Sequence, residues 1–152
     1  MRYCQDLREG ESFTTGTLTV TREDILEFAA EFDPQPYHLD TEAADASIFG
    51  GLCASGWQVS AMMMRLLTDC FENEHIAVMG ATAVKRMRWK RPVFAGDTLV
   101  AQVVVTDVNA DPVGVESGQI ECEVKVDNQE GTHVIELVTT LLIMNTPEQA
   151  HA

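Results

Sequence analysis

In Asp33-Pro34-Gln35-Pro36-Tyr37-His38 an acid and a histidine bracket four residues, two of them proline. Each proline fixes its own φ and pushes the residue before it away from helix, so the segment reads as a stiff, non-helical turn. A stiff turn aims side chains well. Asp33 and His38 can then share one small site, a carboxylate beside an imidazole, suited to moving protons near neutral pH. On residue types alone the competing reading is plain turn chemistry, because Asp-Pro commonly opens a turn. The other histidines, His75, His133 and His151, fall in polar loop or tail contexts.

A second chemical feature follows. Phe49-Gly50-Gly51 and Ser55-Gly56 lead into an apolar run from Trp57 to Phe71 that reads as a helix. Backbone N–H groups are unsatisfied at a helix start and the dipole favours negative charge there. Ser55 and Gly56 therefore mark a place for a carbonyl oxygen that becomes an oxyanion. Gln58, Arg65, Asp69 and Glu72 fall on one narrow stripe of this helix. Val59, Met62, Met63, Met64, Leu66, Leu67, Cys70 and Phe71 cover most of the rest, so the helix is expected to be wrapped by other structure.

Other elements must position these groups. Residues 1–12 read as an irregular lead-in, and the Thr-rich stretch Phe13 to Val20 as a strand or strand pair. Thr21 is the expected N-cap of a helix with Ile25, Phe28, Ala29 and Phe32 on one face, ending before Pro34 and delivering Asp33 at its edge. Thr41 to Ala46 reads as a short helix capped by Thr41. After the polar break at Glu72 to His75 the texture turns to β. Strands are expected at Ile76 to Met79, Val84 to Trp89, Leu99 to Val108, Val115 to Val126 and Val134 to Met144. Turn residues separate the last three at Asn109 to Gly114 and Asp127 to Gly131, and Asn145 to Ala152 reads as a frayed tail. A helix-rich first half and strand-rich second half give an α+β layout, an antiparallel sheet around a central helix. Val134 to Met144 is left as either a central strand or a dimer seam.

The totals bound the function. With 152 residues, 45% of them hydrophobic, the chain is one domain (1–152) with a real core. No apolar run reaches the length of a membrane span and the N-terminus lacks a signal-type apolar region, so the expectation is a cytoplasmic protein with no membrane partner. Cys4, Cys53, Cys70 and Cys122 are far apart and read as reduced core or boundary thiols, with no metal-type spacing. A net charge of −14 argues against nucleic acid as a partner. Yet Lys85, Arg86, Arg88, Lys90 and Arg91, five of the ten basic residues, fall within seven positions free of acid. They read either as a charged strand face balancing an acidic molecule or as a local positive patch for a polyphosphate ligand.

The run Phe32 to Asp40, with Phe49-Gly50-Gly51 and Ser55-Gly56-Trp57, resembles the MaoC-like dehydratases, also called (R)-specific enoyl-CoA hydratases. The resemblance continues through Arg88 to Val93, Ala95 to Leu99 and Asn128 to Gly131, nearly the whole chain. It implies a hot-dog fold, a homodimer or higher homo-oligomer with substrate running between subunits, and an acyl-CoA thioester as that substrate. No metal or redox cofactor is implied. By the same resemblance Asp33 and His38 are catalytic. Asp33 would be the base for the attacking water, His38 would hold that water, and the Gly56 N–H would stabilise the enolate oxygen. Tyr37, Ser55 and Trp57 are expected to bind substrate, and Arg86, Arg88 and Lys90 to share one strand face and meet the phosphates of coenzyme A.

Two departures stand out. Many members have a histidine before the oxyanion glycine, where this chain has Ser55. A serine that in some members supports the acid from the central helix falls, by ungapped counting, at Met64. Met62 to Met64 read as core packing in preference to a soft acyl pocket, and Trp57 and Trp89 are candidates for the channel wall. The reaction expected is reversible hydration of a 2-enoyl-CoA to a 3-hydroxyacyl-CoA. The alternatives are a hot-dog acyl-CoA thioesterase and a non-catalytic acyl-CoA-binding subunit. The Asp33/His38 spacing favours hydration over both.

Overall fold

A computed structural model describes residues 1–110 and 116–147. Five antiparallel strands run in the order β1-β3-β4-β5-β2, where β1 is Ser12–Thr19, β2 Val78–Trp89, β3 Thr98–Asn109, β4 Ser117–Asp127 and β5 His133–Met144. Four helices precede β2: α1 Arg22–Phe32, α2 Pro36–Leu39, α3 Thr41–Asp45 and α4 Gly56–Asn73. The sheet closes around α4, which is the hot-dog fold.

Period-two burial explains why the strands hold α4. Leu99, Ala101, Val103 and Val105 on β3, Ile120, Cys122, Val124 and Val126 on β4, and Leu137, Leu141 and Ile143 on β5 are all buried. They pack in one core cluster with Val59, Met63, Leu66, Leu67, Cys70 and Phe71 of α4, and the rings of Phe71 and Phe13 of β1 meet edge-on at 6.3 Å. The opposite face carries charge, with Lys85–Glu121 at 3.1 Å and Lys125–Glu123 at 3.3 Å. All four cysteines are buried, and none is joined in a disulfide.

Several sequence expectations are corrected by local chemistry. Pro36 does not keep the turn extended. It occupies the first turn of α2, where a missing N–H is harmless and its fixed φ suits helix. His38 is thus a helical residue. Helix α3 is capped by Asp40 rather than Thr41, the Asp40 carboxylate accepting from Ala43 N at 3.2 Å. The expected cap of α1 is present: Thr21 Oγ1 accepts from Asp24 N at 3.1 Å.

Helix α4 is not wrapped all round. Arg65, Asp69, Glu72 and Met64 are exposed, whereas Gln58, at the head of the same polar stripe, is buried. The expected strands at Ile76 to Met79 and Val84 to Trp89 are one strand, and β5 is interior while β1 and β2 form the edges. The lead-in is partly ordered, with a 3₁₀ turn at Cys4–Asp6 and Arg2 bridged to Ile76. Asn145 is buried and Thr146 N and Oγ1 both donate to Gln5 Oε1, so the chain is packed through the two residues that follow β5. Residues 111–115 of the expected turn, and 148–152 of the expected tail, lie outside the described residues. Among the described residues no helix is long and apolar enough to cross a membrane.

Candidate active site

Asp33 is the C-cap of α1. Its N–H donates to Ala29 O at 3.0 Å, and Pro34 stops the helix there. His38 lies in α2, nearly buried. Its Nδ1 is 2.7 Å from the carbonyl oxygen of Cys53. A carbonyl only accepts, so Nδ1 carries a proton and Nε2 is the nitrogen left to work. That Nε2 lies 3.5 Å from Asp33 Oδ2. The Cys53 carbonyl is itself held in place, because residues 53–54 bond to the segment after β2. Ala54 N donates to Val93 O at 2.8 Å and Cys53 forms a bridge to Phe94.

Ser55 connects the two halves of the site. Its hydroxyl donates to Asp33 Oδ2 at 2.7 Å and accepts from Trp57 N at 3.3 Å, so one oxygen caps α4 and orients the acid. Next to it stands Gly56, the first residue of α4, whose N–H has no partner among the described residues. A side chain could not fit at this position. A Cβ on Gly56 would fall 2.8 Å from the indole of Trp89, whose Nε1 donates to Gly56 O at 2.8 Å.

Asp33, His38, Cys53 and Gly56 line a cavity of about 340 Å³ together with Tyr37, Phe49, Trp57, Val59, Trp89, Lys90, Arg91 and Val93. The Tyr37 ring lies against His38 at 4.4 Å and against Phe49 at 5.3 Å, and Trp57 packs edge-on to Trp89 at 5.1 Å. Asp33, His38, Gly56, Tyr37, Trp57 and Lys90, all expected from the sequence, therefore share one cavity.

Three expected residues do not join them. Ser55 is fully buried behind Asp33 and does not line the cavity, where substrate contact was expected of it; what it touches is the Asp33 carboxylate. Arg86 and Arg88 are absent from the wall as well. The register of β2 on β5 slips between Lys85 and Arg88, and Arg86 takes φ 54°, so the assumed two-residue period breaks at a bulge. Arg86 instead lines a hollow with Glu123, Lys125 and Glu136 on the charged face. Lys90 reaches the cavity but also pairs with Glu136 at 3.2 Å. Arg91 was not singled out as a site residue. It lines the same wall, and no carboxylate lies within ion-pair distance of it among the described residues.

The arrangement has the parts for proton transfer beside a polarised carbonyl: an acceptor carboxylate, an imidazole with its working nitrogen fixed, and a free N–H at a helix start. Among the described residues no group of three or more His, Cys, Asp and Glu is placed to hold a metal ion. Burial raises the Cys53 thiol above its ordinary pKa, so the sulfur beside His38 stays protonated near neutrality.

Comparison with known proteins agrees with this fold. The model of the MaoC like domain matches residues 6–129. The YdeM protein of Bacillus subtilis is 34% identical over 135 residues, spanning 88% of this chain and 93% of its own. An (R)-specific enoyl-CoA hydratase of Rhodospirillum rubrum is 29% identical over 108 residues, 70% of this chain and 71% of its own. The crystal structure of a MaoC-like dehydratase from R. rubrum superposes with a TM-score of 0.87 at 32% identity, covering 97% of this chain and 100% of that one.

Proposed function

Because the chain belongs to the MaoC-like dehydratase family, we propose that it reversibly adds water to a 2-enoyl-CoA thioester to give the (R)-3-hydroxyacyl-CoA. The observation that carries this reading is the Asp33–His38 pair, with Nδ1 tied to Cys53 O and Nε2 turned to the carboxylate.

Water held between Asp33 and His38 Nε2 loses a proton to Asp33 as its oxygen attacks the β-carbon. The π electrons move toward the thioester oxygen, where the Gly56 N–H stabilises the enolate. The α-carbon then takes the proton that Asp33 accepted, which returns Asp33 to its carboxylate, and the thioester re-forms. Each step balances without a redox or metal partner, and we assign none. Ser55, holding Oδ2, leaves Oδ1 as the oxygen free to turn toward the water. Lys90 and Arg91 supply positive charge beside the cavity for the phosphates of coenzyme A. The exposed edge of β2, with Val78, Met79, Val84 and Trp89 open to solvent, is the face on which a second copy would pair to form a homodimer.

The test is an assay on short enoyl-CoA thioesters that follows loss of the conjugated chromophore and release of free thiol in parallel. Loss of chromophore with (R)-3-hydroxyacyl product supports hydration. Free thiol without hydroxyacyl product would assign a thioesterase instead.

A further inference from the structure

Three hydrogen bonds at the site run end to end. Trp89 Nε1 donates to Gly56 O at 2.8 Å. The N–H on the other side of that same peptide, Trp57 N, donates to Ser55 Oγ at 3.3 Å. Ser55 Oγ in turn donates to Asp33 Oδ2 at 2.7 Å. None of these bonds can be reversed. An indole N–H and a peptide N–H only donate, a carboxylate only accepts, and the serine hydroxyl passes the direction on. The chain therefore points one way, from the last residue of β2, across one peptide of α4, to the acid.

Donation to a carbonyl polarises its peptide and makes the N–H at the other end a better donor. The same holds at a hydroxyl, so each bond strengthens the next. The Gly56–Trp57 peptide is also held at both ends, by the indole on its oxygen and by Ser55 on its nitrogen. That fixes the first turn of α4, from which the Gly56 N–H projects. The close approach depends on the glycine: a Cβ at Gly56 would lie 2.8 Å from Trp89 Nε1. Trp89 itself is restrained by the edge-on ring of Trp57 at 5.1 Å and by the pairing of its strand with Ile135 of β5.

Resting on the hydratase reading, we propose that Trp89 is a positioning residue for the reaction. Its N–H acts on Asp33 through the Gly56–Trp57 peptide and Ser55, holding the carboxylate where it can take a proton from water. No proton moves along the chain. Its service is orientation and polarisation, supplied from an edge strand to a residue at the end of α1.

Trp89 also lines the cavity, so its shape and its N–H need separate tests. The benzothiophene analogue of tryptophan, placed at position 89, keeps the shape and replaces the N–H by sulfur. The expected kcat on a short enoyl-CoA is about three- to tenfold lower, with KM nearly unchanged. Trp89→Phe repeats the measurement in a genetically encoded form. Indole N–H resonances give a readout that needs no turnover. The chain has two tryptophans, and the peak lost in Trp89→Phe assigns them. Asp33→Asn and Ser55→Ala should each move the Trp89 resonance upfield, as its bond to Gly56 O weakens, and leave that of Trp57 near its place. This response in a protein that turns over no enoyl thioester overturns the hydratase reading and keeps the chain of bonds. Turnover unchanged by the analogue, or equal movement of both resonances, overturns the role of Trp89 and keeps the hydratase. A lower melting temperature with kcat and KM unchanged overturns it too, leaving Trp89 a clamp between β2 and α4.

Discussion

In the proposed reaction Asp33 takes the proton, His38 holds the water and Ser55 holds the carboxylate. Asp33→Asn and His38→Ala should each lower kcat by roughly a hundredfold or more, the range of general acid–base effects, with the melting profile nearly unchanged. Unfolding of either variant, or near wild-type turnover, would remove that residue from the mechanism. Ser55→Ala tests the positioning role. It should lower kcat with KM steady and cost about 1 kcal/mol of stability for the lost cap, and Ser55→Thr should recover part of both. A fall in stability alone would make Ser55 only a cap. Asp33 and His38 were legible in the sequence because their types and spacing carry chemistry. The Cys53 carbonyl was not, since every residue offers one. The Ser55–Asp33 bond joins positions 22 apart in sequence, which no local pattern reveals.

At the scale of elements, two features decide what the substrate meets. The first is the start of α4. Gly56→Ala would push a Cβ into the Trp89 indole, with a cost of about 1–3 kcal/mol for overpacking, read as a lower melting temperature together with lost turnover. The second is the bulge in β2. Strict alternation would have put Arg86, Arg88 and Lys90 together, but the extra residue between Lys85 and Arg88 redirects the strand. Lys90→Gln with Arg91→Gln should therefore raise KM for a CoA thioester several-fold and spare a pantetheine thioester that lacks the nucleotide. Arg86→Gln should leave both constants unchanged. Equal loss on the two substrates would make Lys90 and Arg91 structural. Strand and helix identities were readable from periodicity, and the bulge was not, because a φ of 54° at an arginine leaves no mark in the sequence. The cap of α3 was misplaced by one residue because Asp40 and Thr41 are both good capping types.

For the molecule as a whole, the sheet around α4 fixes what pH does to stability above neutrality. Burial pushes the Cys122 thiol from its ordinary value of 9.0 up to about 12, and Cys53 and Cys70 are raised by burial as well. Between those two pH values the unfolded chain gives up the Cys122 proton while the folded chain keeps it. The folded state then binds more protons, so stability falls as pH rises through this window. The slope is at most about 1.4 kcal/mol per pH unit for that thiol. Chemical melts between neutral and alkaline pH should show the loss, and Cys122→Ala should flatten it. A pH-independent midpoint in both proteins would contradict the burial argument. Light scattering tests the homodimer, for which a fully active monomer would be the opposing result. The α+β class was readable from the order of elements, helices first and strands after, and the hot-dog arrangement came from the family resemblance. Burial of Gln58 was not, because its place on the polar stripe pointed to solvent.

The chain has two tryptophans, and both stand on the wall of the same cavity, Trp57 edge-on to Trp89 and Trp89 bonded to the first residue of α4. Tryptophan emission, excited selectively over tyrosine, therefore comes wholly from the site, with no background from the core. Polarity, quenching and energy exchange between the two indoles should all respond when the cavity fills. A titration of unlabelled protein then reads occupancy directly, even in variants too slow to assay.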